Sequence, residues 1–196
     1  MLKRAALLIS YITEPFLTAS LALLLVFIKV DTDFSDKFLW SALGLIIGGA
    51  PAVAVFLYEK RKGKITDWFI TNREQRRDVH LAWLIGSVVL SLIYLYIDVP
   101  RLLLATTLSL TSLAALASLA TIYWKISIHI MAASFLVLTL LLVYSSAFLP
   151  VFFLIPLIGW CRIYLGHHTL SQVSIAAILA IFVVYYIFNL FGLATF

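Results

Sequence analysis

The sequence predicts an all-α fold, a polytopic bundle of about seven transmembrane helices (six to seven), from three observations. Hydrophobic residues occupy 64% of the 196 positions and charged residues 12%, about half the roughly 25% charged fraction of soluble domains. The mean hydropathy is +1.10. Apolar runs near the 20 or so residues that a bilayer requires follow one another along the whole chain, with a single long polar interruption and no room for a separate soluble domain. The chain therefore reads as one membrane domain over residues 1–196, without internal repeats or low-complexity tracts.

The first span covers about Ala5 to Val30. Met1-Leu2-Lys3-Arg4 imitates the basic start of a signal peptide, but Glu14-Pro15 interrupts the run and no small-residue cleavage site follows. It reads as a retained helix whose interfacial start ends at Glu14-Pro15. After the acidic loop Asp31 to Lys37, the second span runs from about Phe38 to Tyr58, where Gly48-Gly49-Ala50-Pro51 predicts a kink or close approach of a neighbouring helix. The polar interruption, Glu59 to His80, carries seven Lys/Arg. Its Ile65, Trp68, Phe69 and Ile70 suit the head-group layer. Spans three and four, about Leu81 to Val99 and Arg101 to Tyr123, form a hairpin turned at Asp98-Val99-Pro100. The fifth covers about Ile126 to Ser146, the sixth Phe148 to Tyr164 with Pro150 and Pro156, and the seventh Ser171 to Phe196.

Seven alternating spans put the N-terminus, the 59–80 loop, the Trp124-Lys125 junction and the Arg162–Gln172 stretch on one side, with all four histidines (His80, His129, His167, His168). That side also holds every Lys/Arg except Lys29, Lys37 and Arg101. By the positive-inside rule it faces the cytoplasm, and the protein sits in the cell membrane. The positive balance, +5, matches anionic head groups and phosphate ligands better than nucleic acid in such a chain.

The chemistry concentrates where membrane-length runs give way to water. Cys161-Arg162-Ile163-Tyr164-Leu165-Gly166-His167-His168-Thr169-Leu170-Ser171-Gln172 places an arginine and two histidines there, and ionisable groups at membrane depth are functional candidates. Lys125-Ile126-Ser127-Ile128-His129 and the basic loop with Lys64, Arg73 and Arg76 supply further donors. Guanidinium and ammonium groups, helix-start N–H groups and imidazoles together make an anion site. No acidic residue follows Asp98, which excludes a carboxylate-ligated metal or a carboxylate acid/base pair in the C-terminal half. The single Cys161 excludes an intramolecular disulfide. Neither metal nor cofactor is expected. Each candidate has a plainer alternative: a hydrogen-bonded helix-start histidine at His168, a satisfied interhelical histidine at His129, a snorkelling arginine at Arg162, a helix cap at Ser127, and a solvated charge run at Lys64, Arg73 and Arg76. His80 reads as structural or interfacial; His167 is a rival to its neighbour His168 or, more plainly, an interfacial residue.

The spacing Arg162-x5-His168-x3-Gln172, preceded by Ser127-x-His129, resembles the third and second signatures of the type 2 phosphatidic acid phosphatase superfamily. Those are Ser-Arg-x5-His-x3-Asp and Pro-Ser-Gly-His. Here Cys161 replaces the Ser, Gln172 the Asp, Ile126 the Pro and Ile128 the Gly. The first signature, Lys-x6-Arg-Pro, is matched poorly: eight residues separate Lys64 from Arg73, and no Pro follows either Arg73 or Arg76. Lys-Ile-Ser-x-His with a later His-Thr-x-x-Gln resembles a divergent branch of the superfamily, over roughly residues 60–190.

The resemblance implies a metal-independent membrane phosphatase acting on a lipid phosphate or isoprenoid diphosphate. His168 would be the nucleophile, His129 the general acid, and Gln172 the residue that orients His168. Lys64, Arg73, Arg76, Ser127 and Arg162 would bind the phosphate. Two other classes fit the same residues: an inactive or weak lipid-phosphate binder, suggested by Gln172 and the missing Pro and Gly, and a small transporter or haem or metal membrane protein using the histidines. Haem ligation fits less well, because no histidine falls mid-span.

Overall fold

The computed structural model describes residues 1–194, so the predicted end of the last span at Phe196 lies outside the described residues. Among these the chain is helical throughout, with no strand: α1 (Leu2–Ile12), α2 (Pro15–Lys29), α3 (Phe34–Leu43), α4 (Ala50–Arg61), α5 (Arg77–Tyr96), α6 (Arg101–Tyr123), α7 (Ile128–Val143), α8 (Leu154–Tyr164) and α9 (Leu170–Leu190). A widened π-turn, Gly44–Gly49, joins α3 to α4, and 3-10 turns at Arg73–Arg76 and Ser146–Phe153 lead into α5 and α8.

Five helical segments are long and apolar enough to cross a membrane: Phe34–Arg61, Arg73–Tyr96, Arg101–Tyr123, Ser146–Tyr164 and Leu170–Leu190. The pair α1 and α2, bent by 47°, makes a sixth if it is one span. These helices mark an integral membrane protein. The expected seventh, residues 126–146, is only the 16-residue α7. At 1.5 Å per residue it is about 24 Å long, short of the roughly 30 Å hydrocarbon core. Its apolar character has another cause. From His129 to Thr139 every residue of α7 is buried, and a helix that is hydrophobic all round is a core helix.

The chain divides into two compact units. The first comprises Met1–Lys29 and Ile126–Phe196. Here α7 is the central helix, packed against α2, α8 and α9, while α1 packs on α8. Glu14-Pro15 breaks the first apolar run as expected. Pro15 opens α2 at a position needing no N–H, and the Glu14 carboxylate accepts the N–H of Leu17 at 3.0 Å. The Tyr144 hydroxyl at the end of α7 donates to the Leu25 carbonyl of α2 at 2.8 Å.

The second unit, Val30–Lys125, is built on α5, which packs against α6 on one side and α4 with the π-turn on another. Pro51 has no N–H to return to the Ile47 carbonyl in α-helical register, and the backbone widens just before it. Gly86 of α5 lies against that carbonyl. A Cβ on Gly86 would come within 2.4 Å of Ile47 O, so the Gly-Gly-Ala-Pro stretch yields the close approach expected of it, at a π-turn that runs into the helix. The Tyr94 hydroxyl donates to the Trp40 carbonyl at 2.5 Å. At the α5–α6 turn Asp98 takes φ +52°, a left-handed conformation that Asp tolerates better than most residues.

Candidate active site around His168

Local sequence folds the stretch between α8 and α9 without long-range help. Gly166, at φ +71°, ends α8 in the left-handed conformation that costs glycine little. The His167 N–H then bonds back to the Arg162 carbonyl at 3.0 Å, and the Gly166 N–H to Ile163 at 2.9 Å. This is the double bond pattern of a glycine-terminated helix. The His168 N–H reaches the same Arg162 carbonyl at 3.2 Å, so both histidines fold over Arg162. Thr169 then caps α9, its hydroxyl accepting the Gln172 N–H at 3.4 Å. Gln172 Oε1 in turn accepts the Thr169 N–H at 3.2 Å, completing a reciprocal capping box.

This geometry fixes the chemistry of the side chains. His168 is buried, and its Nδ1 lies 3.1 Å from Gln172 Oε1. Because the Thr169 N–H also donates to that atom, it is the amide oxygen. An oxygen can only accept, so the His168 proton resides on Nδ1 and the lone pair on Nε2. The start of α9 at Leu170 agrees with the expected start near Ser171, and the two side chains meet because Gln172 folds back over the helix end. Arg162 is fully buried, and its Nη2 lies 2.8 Å from His167 Nδ1. A guanidinium can only donate, so His167 accepts through Nδ1. The sequence reading of His167 is interfacial. Its link to Arg162 depends on the left-handed turn at Gly166, which the spacing does not express.

The start of α7 comes to the same place. A Cβ on Gly159, one turn before Arg162, would lie 2.8 Å from Val173 Cγ1 and 3.7 Å from Ile130 Cδ1. Val173 follows Gln172 and Ile130 follows His129, so glycine lets the three carriers of Arg162, His168 and His129 converge. It follows that α7 leads away from this end and Ser146–Tyr164 leads back to it. His129, in the first turn of α7, is buried. Ser127 occupies the cap position of α7, but its side chain makes no capping bond, which removes the plainer reading of that residue. Its hydroxyl is fully buried and has no hydrogen-bond partner among the described residues. Such a group costs about 1–3 kcal/mol unless something bonds to it.

The remaining expected phosphate ligands, Lys64, Arg73 and Arg76, belong to the second unit. Gly63, at φ +74°, ends α4 with the same bond pattern as Gly166, Lys64 N–H to Glu59 carbonyl at 3.0 Å. The exposed Lys64 ammonium pairs with the Glu59 carboxylate at 2.9 Å. That hydrogen bond and charge hold Lys64 above the ordinary lysine range. Arg73 is half-buried. Arg76 is buried and donates through Nε to the Ile70 carbonyl at 2.7 Å. Ile70 itself sits at φ +45°, in a turn whose Asp67 carboxylate accepts from the N–H groups of Phe69 and Thr71 and from the Thr71 hydroxyl. Of the residues expected in the head-group layer, Ile65 is instead buried, anchoring the loop. Trp68 is half exposed and packs edge-on against Phe56. His80 has the structural role expected of it: its Nδ1 lies 3.1 Å from the Thr121 hydroxyl, which itself donates to Ala117.

Among the described residues, no group of three or more His, Cys, Asp or Glu is placed to hold a metal ion. Fold and site together define a helical membrane protein whose first unit gathers Arg162, His167, His168 and Gln172 at the α8–α9 turn, with Arg162 and His168 buried. No protein-family model, characterised protein or solved structure matches this chain.

Proposed function

We propose that the protein is a membrane phosphatase that hydrolyses a lipid phosphate or isoprenoid diphosphate through a phosphohistidine. One observation carries this reading: the buried His168 imidazole, whose backbone N–H bonds to the Arg162 carbonyl, is held by Gln172 as the tautomer with its lone pair on Nε2. That is the state a nucleophilic histidine requires. Nε2 attacks phosphorus, the P–O bond to the lipid breaks, and His129 gives its proton to the leaving oxygen. Water then attacks the phosphohistidine, with His129 taking a proton from it, and inorganic phosphate leaves. Arg162 offsets the negative charge on the equatorial oxygens, and the buried Ser127 hydroxyl supplies one further donor. Binding by Lys64, Arg73 and Arg76 rests on the resemblance alone. A site at the end of membrane-length helices suits a substrate whose tail stays in lipid. The charge asymmetry of the loops supports a cell-membrane location with the site toward the cytoplasm.

The test is phosphate release from a panel of prenyl diphosphates, diacyl phosphates and diether phosphates, with chelator present and His168→Ala alongside. Release that continues in chelator and disappears in His168→Ala is the expected result. Release that survives His168→Ala removes the mechanism. Binding without release by the wild-type protein instead favours a lipid-phosphate binder, the role that a neutral Gln172 would suit.

A further inference from the structure

We infer that His167 is a positioning residue that holds the Arg162 guanidinium in the orientation in which it meets phosphate. The inference rests on the phosphatase reading for its substrate, but on the geometry of the α8–α9 turn for its substance. Arg162 is fully buried, and a planar guanidinium binds phosphate well only when its fork of donors is aimed. The long arginine side chain has many rotamers to lose before it can hold that aim. The turn supplies an aim. Gly166 at φ +71° directs His167 back onto the helix it has just left, and the Arg162 carbonyl accepts the His167 N–H at 3.0 Å. From that tether His167 Nδ1 accepts from Arg162 Nη2 at 2.8 Å. Fixing one nitrogen of a rigid plane, together with its stem, fixes the plane. The contact requires a neutral acceptor at the Nδ1 position, which leaves the proton of His167 on Nε2. The paired histidines thus carry opposite tautomers for different tasks: His168 donates through Nδ1 and keeps its lone pair on Nε2, while His167 accepts through Nδ1 and keeps its proton on Nε2.

The inference is tested with His167→Leu, which removes the acceptor, and His167→Asn, whose Oδ1 occupies nearly the place of Nδ1. Two readouts are made in detergent micelles: equilibrium binding of inorganic phosphate, and steady-state hydrolysis of dodecyl phosphate. A hydrogen bond to a charged group contributes about 1.5–3 kcal/mol, or about ten- to a hundredfold. His167→Leu should weaken phosphate binding and raise KM by at least about tenfold, with kcat falling much less, and His167→Asn should restore most of both. Equal behaviour of Leu and Asn, or a loss confined to kcat, overturns the inference. The two readings separate cleanly. Weakened phosphate binding in His167→Leu, with no hydrolysis even by wild type, sinks the phosphatase and keeps the positioning role. Normal KM in an active His167→Leu enzyme does the reverse. Should His167→Leu not fold, the ¹⁵N spectrum of histidine-labelled wild type at neutral pH decides. A protonated Nε2 and bare Nδ1 at His167 support the inference, and a protonated Nδ1 overturns it.

Discussion

At position 172 a carboxamide oxygen accepts from the Thr169 N–H and from His168 Nδ1 at once, so substitutions there and at Thr169 separate helix capping from orientation of the imidazole. Gln172→Ala loses both: about 1 kcal/mol of stability, as for a lost cap, and most of the phosphatase activity. Thr169→Ala removes the other half of the cap without touching His168, and should lower the unfolding midpoint while leaving most activity. Gln172→Glu has the length to keep both bonds. It adds a negative charge beside the helix N-terminus and beside an imidazole that becomes positive during phosphoryl transfer, where a charge-assisted bond is about twice as strong as a neutral one. Its phosphate-release rate should equal or exceed that of wild type. A Gln172→Ala protein as active as wild type would remove the orienting role and weaken His168 as nucleophile with it. The second residue-scale expectation concerns His129. An acid matters most for poor leaving groups, so His129→Ala should retain a larger share of wild-type rate on p-nitrophenyl phosphate than on dodecyl phosphate. Equal losses on both would show that His129 only supports the fold.

Among the helices, the glycines that permit close approach are not equivalent, because what a new methyl group would meet differs. At Gly86 it meets the Ile47 backbone carbonyl at 2.4 Å, whereas at Gly48 it meets the movable end of the Leu90 side chain at 2.9 Å. A helix backbone cannot yield as a rotamer can. Gly86→Ala should therefore fall at or above the roughly 1–3 kcal/mol typical of overpacking, and Gly48→Ala below it, compared by thermal unfolding in one detergent. Equal midpoints would mean that α5 can slide away from the π-turn. This contact was partly legible beforehand, since small residues before a proline announce a kink and a close neighbour, although Gly86 as the partner was not. The capping box carries a sequence signal too, Thr169-x-x-Gln172 before an apolar run, and the start of the last helix was legible to within a residue. The Arg162–His167 contact was not legible, because it arises from one positive φ at Gly166 rather than from helical periodicity. The 16-residue α7 passed for a span because hydropathy registers burial in protein and burial in lipid alike.

For the whole molecule, the remaining question is which end of the helices faces the cytoplasm, and charge is the physical handle on it. With α7 counted as a crossing, Lys29, Lys37 and Arg101 are the only Lys/Arg assigned to the side opposite the histidines. Phosphate ligands inflate the other side, but setting aside Lys64, Arg73, Arg76, Lys125 and Arg162 leaves Lys3, Arg4, Lys60, Arg61, Lys62 and Arg77 there, still an excess. Because the two units are separate bodies, each needs its own reporter. In the second unit Phe34 and Lys62 flank the 28-residue helical segment Phe34–Arg61, about 42 Å long at 1.5 Å per residue and ample for a span. In the first unit Phe148 lies near the start of Ser146–Tyr164, and Ser171 lies beside His168 at the far end. Single substitutions Phe34→Cys, Lys62→Cys, Phe148→Cys and Ser171→Cys in a Cys161→Ser background report these four positions. A membrane-impermeant thiol reagent on intact cells should label Phe34→Cys and Phe148→Cys, and should reach Lys62→Cys and Ser171→Cys only after the cells are opened. The reverse pattern in both pairs overturns the cytoplasmic assignment. Opposite results in the two pairs would overturn the shared side itself, because the basic loop and the His168 cluster would then face different compartments, and Lys64, Arg73 and Arg76 could not serve the same phosphate as Arg162.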